Sequence, residues 1–423
     1  MVGAERADLH QASKCIREKP IVVARLWKET LNRRRDLPSF VYRPASSDTC
    51  YQYDALTGSN LAIDPSARQK CERPVKDNSC CSPPTIIDVA RLAGVSRATA
   101  ARVLGNYGSA GPDARKLVLD AAEQLAYRPN QLARSIATGR SKAIGLVIPD
   151  TESFHFARAI RAVTDIATEN GFVVFLATTD EDIKLERDAV RALLAKRVDG
   201  MIVSPASSID VEHLAGARDM DCPIVLLDRR VPLLSADTFA VDNFRAANQA
   251  VKSLIERGHR QVALVSNAPS DPQQKDLISS VSERIDGYRA TLHDAGNQIA
   301  GNRIIRGGRG TNNLARLVRA LCDSPDRPTA FLATDSSVAL VLIRALRELN
   351  LTIPEDVSLV CFDDADWTAA IAPPLSVISL PIRELASAAT ANLIARIKGD
   401  STGPAKETLL PASLIDRGSV RSV

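Results

Sequence analysis

The sequence predicts a small all-α module followed by an α/β core of two parallel-sheet lobes. Three observations lead there. Between residues 85 and 128, short helices with one apolar face are punctuated by capping residues and glycines. From residue 143 onward, short β-branched runs alternate with amphipathic helices, the pattern of parallel sheets in an α/β layer fold. That pattern continues to residue 423, roughly 280 residues, more than one such sheet accommodates, so two lobes are expected.

Taken in order, residues 1–82 show no sustained period. They mix the RRR run at 33–35 with Pro38, Pro44, Gly58 and a Ser/Asp/Thr cluster, and read as a weakly structured extension or the product of an upstream start. Met201 and Met220 cannot begin the module that follows, whereas a non-Met start near Val75 fits. The α-helical module is expected over 83–128. Thr85 suits an N-cap, with Asp88 three residues on. Ile86, Val89, Ala90 and Ala93 share a face, and Gly94 supplies a turn that tolerates positive φ. Ser96 caps a second helix, Arg97–Leu104, whose Ala100, Val103 and Leu104 face inward. Pro112 stands at N1 of a third helix with Leu117, Val118, Ala121, Ala122 and Leu125 as its buried face.

A short segment, 129–142, links the two parts. Asn130 can cap two turns carrying Leu132 and Ile136 at i, i+4, and Gly139 ends them. So short a helix is not stable alone. The core, 143–423, offers strands at 143–148, 172–177, 200–204, 223–228, 261–266, 329–334 and 357–362. Helices at 156–170, 184–197, 244–258, 281–296, 312–323 and 337–350 fall between them. A binding site is expected where strand C-terminal ends meet a cleft.

Charge is uneven. Residues 83–142 carry nine Lys/Arg against four Asp/Glu, whereas residues 143–423 carry 31 against 36. The small module is thus the positive part of the chain, which suggests a polyanionic partner. No apolar run approaches the ~18–20 residues needed to span a bilayer, and the N-terminus lacks the apolar core of a secretory signal. No membrane role and a cytoplasmic location are therefore expected. Of the eight cysteines none forms C-x-x-C, and the five histidines show no metal spacing, so neither a metal site nor a disulfide framework is expected.

Two capped helices around a glycine turn, with arginines on the outside of the second, form a helix-turn-helix. In that motif the second helix enters the DNA major groove. Ser96, Arg97, Ala98, Thr99 and Arg102 are the candidate contacts, with Thr85 at the start of the first helix. Arg97 and Arg102 suit guanine edges or phosphate, and Ser96 and Thr99 suit phosphate.

The run T-I-x-D-V-A-x-x-A-G-V-S-x-x-T from Thr85, the later A-x-x-L-x-Y-x-P-N-x-x-A-R-S and the closing IPEDVSLVCFDD together resemble the LacI/GalR family of bacterial transcription regulators. The resemblance spans about residues 85–418 and leaves residues 1–82 outside. It implies a DNA-binding headpiece and a core like that of periplasmic binding proteins. It implies a homodimer or tetramer on near-palindromic duplex operator DNA, controlled by a small-molecule effector, with no cofactor. It also implies that Asn130, Leu132, Ala133, Arg134 and Ile136 belong to a hinge helix that folds on DNA beside its dimer mate. Ile136 stands where relatives wedge a leucine into the minor groove, and isoleucine is among the side chains able to do so.

For the effector cleft the resemblance implies Asp228 and Arg229 after PIVLLD, Arg284 in SERIDGYR, Asp335 in ATDSS, and Asp363 in FDD with Trp367 as a ring platform. Asp335 stands where relatives usually have Asn, and Ser336 where they usually have Asp. Phe156 is a candidate stacking residue. Its segment, Ser153-Phe154-His155-Phe156, replaces an Asn-Pro-Phe-Phe pattern, and His155 is expected to be structural or exposed. Aspartates and arginines around a wet cleft suit a polyhydroxylated ligand, a sugar or sugar derivative, with a purine or sugar acid as alternatives.

Two other classes fit less well. An enzyme would need catalytic motifs, but no G-x-G-x-x-G follows a strand and neither a P-loop nor a G-x-S-x-G elbow occurs. A solute-binding protein would share the core but carry an export signal and no headpiece. If the second helix reads DNA, Arg102→Ala should weaken binding to the chain's own operator by roughly 1–3 kcal/mol. Fluorescence anisotropy on a selected duplex measures this, and unchanged affinity would remove Arg102 from the interface.

Overall fold

The first helix of the headpiece, Ile86–Leu92, begins where expected. The Thr85 amide and hydroxyl both donate to Asp88 Oδ2, at 2.9 and 2.7 Å. The Thr85 hydroxyl bond draws the exposed Asp88 carboxyl below its ordinary range, aided by the backbone bond from Thr85. Gly94 closes the helix at φ +66°, a conformation without steric cost only for glycine. The helix Arg97–Gly105 follows, and Pro112 opens the helix Pro112–Gln124. This computed structural model describes residues 84–105, 108–128, 140–270, 277–296, 303–307 and 311–423. The extension 1–82 and the hinge candidates Asn130, Leu132, Ala133, Arg134 and Ile136 lie outside the described residues.

The three helices close a core of their own around Val89, Ala90, Ala93, Ala100, Val103, Val118, Ala121 and Ala122. Alanines at the crossing points let the short helices approach. Full burial of Val89 and Val118 contributes about 1.5–3 kcal/mol each. One expected core residue is displaced: Leu117 is 52 % exposed. The buried face runs through 118, 121, 122 and 125, and residue 117 lies about 100° off that stripe.

Among the described residues of the core, twelve strands form two six-stranded sheets. The first lobe holds β1 (Ala143–Ile148), β2 (Val173–Thr178), β3 (Gly200–Val203), β4 (Ile224–Leu227), β5 (Asp237–Val241) and β11 (Glu407–Leu410). Their order is β11-β5-β4-β3-β1-β2, all parallel. The second holds β6 (Val262–Ser266), β7 (Ile304–Arg306), β8 (Ala330–Ala333), β9 (Ser358–Phe362), β10 (Ser376–Ser379) and β12 (Ser413–Ile415). Their order is β12-β10-β9-β8-β6-β7, and only β12 runs antiparallel to its neighbour. Central strands such as β1, β3 and β4 are buried along their whole length, as parallel strands covered on both faces must be.

The chain passes between lobes three times: after β5, after β10 and between β11 and β12. The second passage sends the helix Ile382–Lys398 back onto β3, β4 and β5 of the first lobe. The sequence reading omits this helix because alanines stand on both its faces, Ala386 and Ala389 buried and Ala388 and Ala391 exposed, which blurs the apolar stripe. β5, β7, β10, β11 and β12 are omitted too, being runs of three to five residues that carry too little periodicity to stand out.

In the second lobe the helices Asn243–Glu256 and Ser279–Asp294 pack closely. Gly287 sets their separation, because a Cβ there would overlap the Phe244 carbonyl oxygen and press on Ala247. Gly287→Ala should therefore destabilise the core by roughly 1–3 kcal/mol. Urea denaturation checks this, and a neutral result would mean the two helices can slide apart.

Candidate functional site

The C-terminal ends of the two sheets face one another, and the same local device appears on each. Asp228 follows β4 at φ +69° and Asp363 follows β9 at φ +73°. Each amide donates to the neighbouring strand: Asp228 N to Phe239 O at 2.8 Å, and Asp363 N to Ile378 O at 3.0 Å. A left-handed conformation is costly for a residue with a Cβ and persists only where surrounding bonds impose it. Here it turns two carboxylates toward the space between the lobes, where they meet one side chain.

That side chain is His155, in the first turn of the helix Phe154–Glu169. Its Nε2 lies 3.0 Å from Asp228 Oδ1, within the first lobe, and its Nδ1 lies 3.5 Å from Asp363 Oδ1, across the cleft. All three residues are buried. Burial disfavours the imidazolium, but the charge and hydrogen bond of Asp228, joined by those of Asp363, overcome it and raise His155 to about 9. Burial likewise pushes Asp228 up, and His155, Arg229 and Arg284 outweigh it, leaving that carboxyl at about 2. Both shifts mean that the ionised pair is the stable form at neutral pH. Of the two alternatives expected for His155, structural or exposed, its burial leaves the first. The segment SFHF marks the departure from the family pattern, but only the fold brings Asp228 and Asp363 to it.

The expected effector residues divide by what holds them. Arg284 is buried on the helix Ser279–Asp294. Its Nε donates to Asn243 Oδ1 at 2.8 Å, its Nη1 to the Thr334 carbonyl, and its Cζ lies 4.1 Å from the Phe362 ring centroid. The plane is thus fixed, with Nη2 making no hydrogen bond among those described. Arg229 is committed elsewhere: both terminal nitrogens bind Glu181, and Nη1 also donates to Pro205 O at 2.7 Å. Its Nε, 3.9 Å from Asp228 Oδ2, is buried without a hydrogen-bond partner. Phe156 is buried, edge-on to His155 at 5.1 Å and 5.9 Å from the Arg229 guanidinium.

Asp335 caps the helix Ser336–Glu348 by accepting from Val338 N at 2.8 Å. Burial raises its carboxyl to about 6, helped by the negative charge of Asp363 and opposed by Arg284. It therefore shares a field with the other cleft residues while serving as a helix cap. Trp367, the expected ring platform, is half-buried and packs against the hydrophobic core of the second lobe. Asn243 and Glu181 are absent from the sequence reading. Asn243 follows β5, a strand that reading lacks, and nothing local marks Glu181 as the partner of Arg229. Among the described residues no group of His, Cys and carboxylates is placed to hold a metal ion.

The cleft is closed over by further bonds between lobes. Arg158 donates to Asp366 on one rim at 3.2 Å. On the other, Arg230 N donates to Ser279 Oγ at 2.7 Å, Arg230 Nη1 to Glu283 at 3.1 Å, and Ser208 Oγ to Leu277 O at 3.3 Å.

On the headpiece, Ser96 Oγ accepts from Thr99 N at 3.1 Å and meets Thr99 Oγ1 at 2.9 Å, so Ser96 is the N-cap expected. Arg97, Ala98 and Arg102 are exposed, Thr99 is half-buried, and Arg102 also reaches the Ser109 carbonyl at 3.4 Å. Thr85 sits across the first helix start with its hydroxyl engaged by Asp88. No helix among the described residues is long and apolar enough to cross a membrane.

Comparison with known proteins gives a consistent set. Residues 85–130 match the family of bacterial regulatory proteins of the lacI type, and residues 251–420 match the periplasmic binding protein-like domain. A probable opine utilization operon repressor of Rhizobium rhizogenes is 69 % identical over 180 residues, 43 % of this chain and 91 % of the relative. The transcriptional regulator PtxS of Pseudomonas putida is 31 % identical over 340 residues, 80 % of this chain and 96 % of that one. Among solved structures, the regulator CelR in complex with cellobiose aligns with a TM-score of 0.59 at 27 % identity, covering 79 % of this chain and 99 % of its own.

The shift of Asp335 generates a test. Because its folded-state value of about 6 lies above the ordinary 3.8, its ionised form costs stability above pH 6, and that cost fades as pH falls toward 4. Asp335→Asn keeps a capping oxygen and removes the charge. Thermal unfolding should show it more stable than wild type by roughly 1–2 kcal/mol at pH 7.5, with the gain shrinking toward pH 4. A pH-independent difference would contradict the electrostatic account.

Proposed function

The chain belongs to the LacI family of bacterial regulatory proteins, and we propose that it represses an operon for the use of an opine, with operator affinity set by a polar, hydroxyl-bearing ligand in the inter-lobe cleft. It is a DNA-binding transcriptional repressor with an effector-binding core. Its relatives are regulators and not enzymes. The observation that carries the finer reading is the cleft itself. Arg284 is held in one plane and makes no described bond through Nη2, while Asp228 and Asp363 converge on His155 from the two lobes and the Arg284 charge acts on Asp228. A planar guanidinium suits a carboxylate or two hydroxyls, and ionised aspartates suit hydroxyls or an ammonium.

The opine reading draws on the name of the Rhizobium rhizogenes relative. An opine is a secondary amine joining an amino acid to a keto acid or a sugar. A sugar-derived one offers hydroxyls, a carboxylate and a cationic nitrogen together, which agrees with the sugar derivative expected from the sequence. The sugar-bound CelR structure supports a polyhydroxylated ligand in this fold.

Dimerisation on a near-palindromic operator belongs to the same proposal. The edge strand β2 pairs only with β1 and exposes Val173, Phe175 and Leu176. An apolar sheet edge left open invites pairing with another chain, and a second copy would cover it. Cytoplasmic location follows from the DNA partner.

The experiment is a titration of the full chain against duplex DNA from the promoter beside its gene, with opines of the keto-acid and sugar types added and with ribose and cellobiose as uncharged comparators. One opine should change operator affinity at least fivefold. Arg284→Ala should abolish that response while leaving folding and dimer mass unchanged. A wild-type protein that ignores every opine but answers a neutral sugar would overturn the opine reading. A variant that still responds would remove Arg284 from the site.

A further inference from the structure

The rims of the cleft are joined by exposed or half-exposed side chains, whereas among the described residues the buried His155 bridges its centre. His155 belongs to the first lobe through the helix Phe154–Glu169 and through its 3.0 Å contact with Asp228. Its other ring nitrogen reaches Asp363, the residue that ends β9 in the second lobe. An imidazole accepts at one nitrogen when neutral and donates at both when protonated. Facing carboxylates on both sides, only the protonated ring satisfies both at once. We propose that His155 is a charged latch: its imidazolium, shared between Asp228 and Asp363, holds the two lobes together and sets how readily the cleft opens to the effector.

This rests on the reading of the cleft as the effector site and adds to it the residue through which closure is controlled. Every charge near the ring acts on it. Asp228 and Asp363 flank it directly. Arg229 lies 3.9 Å behind Asp228, Arg284 and Asp335 lie within the same field, and Arg158, one turn along the same helix, is paired with Asp366 of the helix Asp366–Ala370. Loss of the proton leaves Asp363 facing a neutral ring from across the cleft, with Asp335 as a like-charged neighbour, and the pull between lobes at this point is gone. A ligand that brings its own donor to Asp363 competes with the ring for the same oxygen, so opening and binding draw on one carboxylate.

The sign follows from the direction of the shift. His155 is held at about 9, above its ordinary 6.5. Its contribution is complete below pH 6.5 and is lost as pH rises through 9. Asp228, at about 2, stays ionised throughout that window.

The test uses neither DNA nor effector, so it stands or falls apart from the proposed function. Small-angle X-ray scattering of the full chain at pH 7 and at pH 9.8 should show wild type expanding at the higher pH. His155→Gln, which keeps a polar side chain but carries no charge, should show the expanded radius at both. Its thermal midpoint should be lower than wild type at pH 7 and converge with it by pH 9.8. Should that variant fail to fold, Asp363→Asn carries the same test, because it leaves the His155–Asp228 pair intact in the first lobe and removes only the half that crosses the cleft. Expansion of either variant with the same pH dependence as wild type would overturn the latch.

Discussion

A charge buried between two lobes is the constraint around which this core is arranged. Ionised groups leave water only when paired, and breaking a buried pair leaves an uncompensated charge. His155, Asp228 and Asp363 meet that condition jointly, and two of the three depend on backbone conformations that no local preference would choose. Those conformations are held by bonds from Asp228 to Phe239 and from Asp363 to Ile378. The strands β5 and β10 are therefore part of the site although neither contributes a side chain to it.

The residues around this centre form a graded support. Glu181 and the Pro205 carbonyl immobilise Arg229, whose charge helps keep Asp228 ionised. Asn243 and Phe362 fix the plane of Arg284. Asn243 stands two residues after β5 ends, at the first passage between lobes, and its side-chain amide also donates to Val241 O at 3.2 Å. Arg284 is thus bonded directly to the segment where the chain first crosses between the lobes. Coupling needs a difference in contacts between two arrangements rather than a long path between sites.

Much of this was legible in the chain, and the limits are physical. Thr85, Gly94, Ser96 and Pro112 announce helix ends because capping is local chemistry, complete within four residues. The strands of the two sheet centres were readable because full burial demands unbroken apolar runs. The helix Ile382–Lys398 was not, since alanines on both its buried and its exposed faces weaken the contrast that makes an amphipathic stripe visible. Leu117 was misplaced by one residue, enough to turn it outward. Arg284 and the aspartates stand as cleft candidates through the family resemblance alone. The role of His155 could not be read, because its partners lie 73 and 208 positions away along the chain and belong to different sheets.

Three passages between lobes also bear on how such a molecule can be rearranged by recombination. The part matching the lacI-type regulatory family, residues 85–130, precedes the core in the chain, so a single crossover can exchange it for another reader of DNA. Neither lobe has that freedom. β11 and the helix Ile382–Lys398 return to the first lobe after the second is largely built, so no single cut yields a sheet with all its strands. New operator choice can be acquired by swapping parts, while new ligand choice in the core must come by substitution, one side chain at a time, within a scaffold inherited whole.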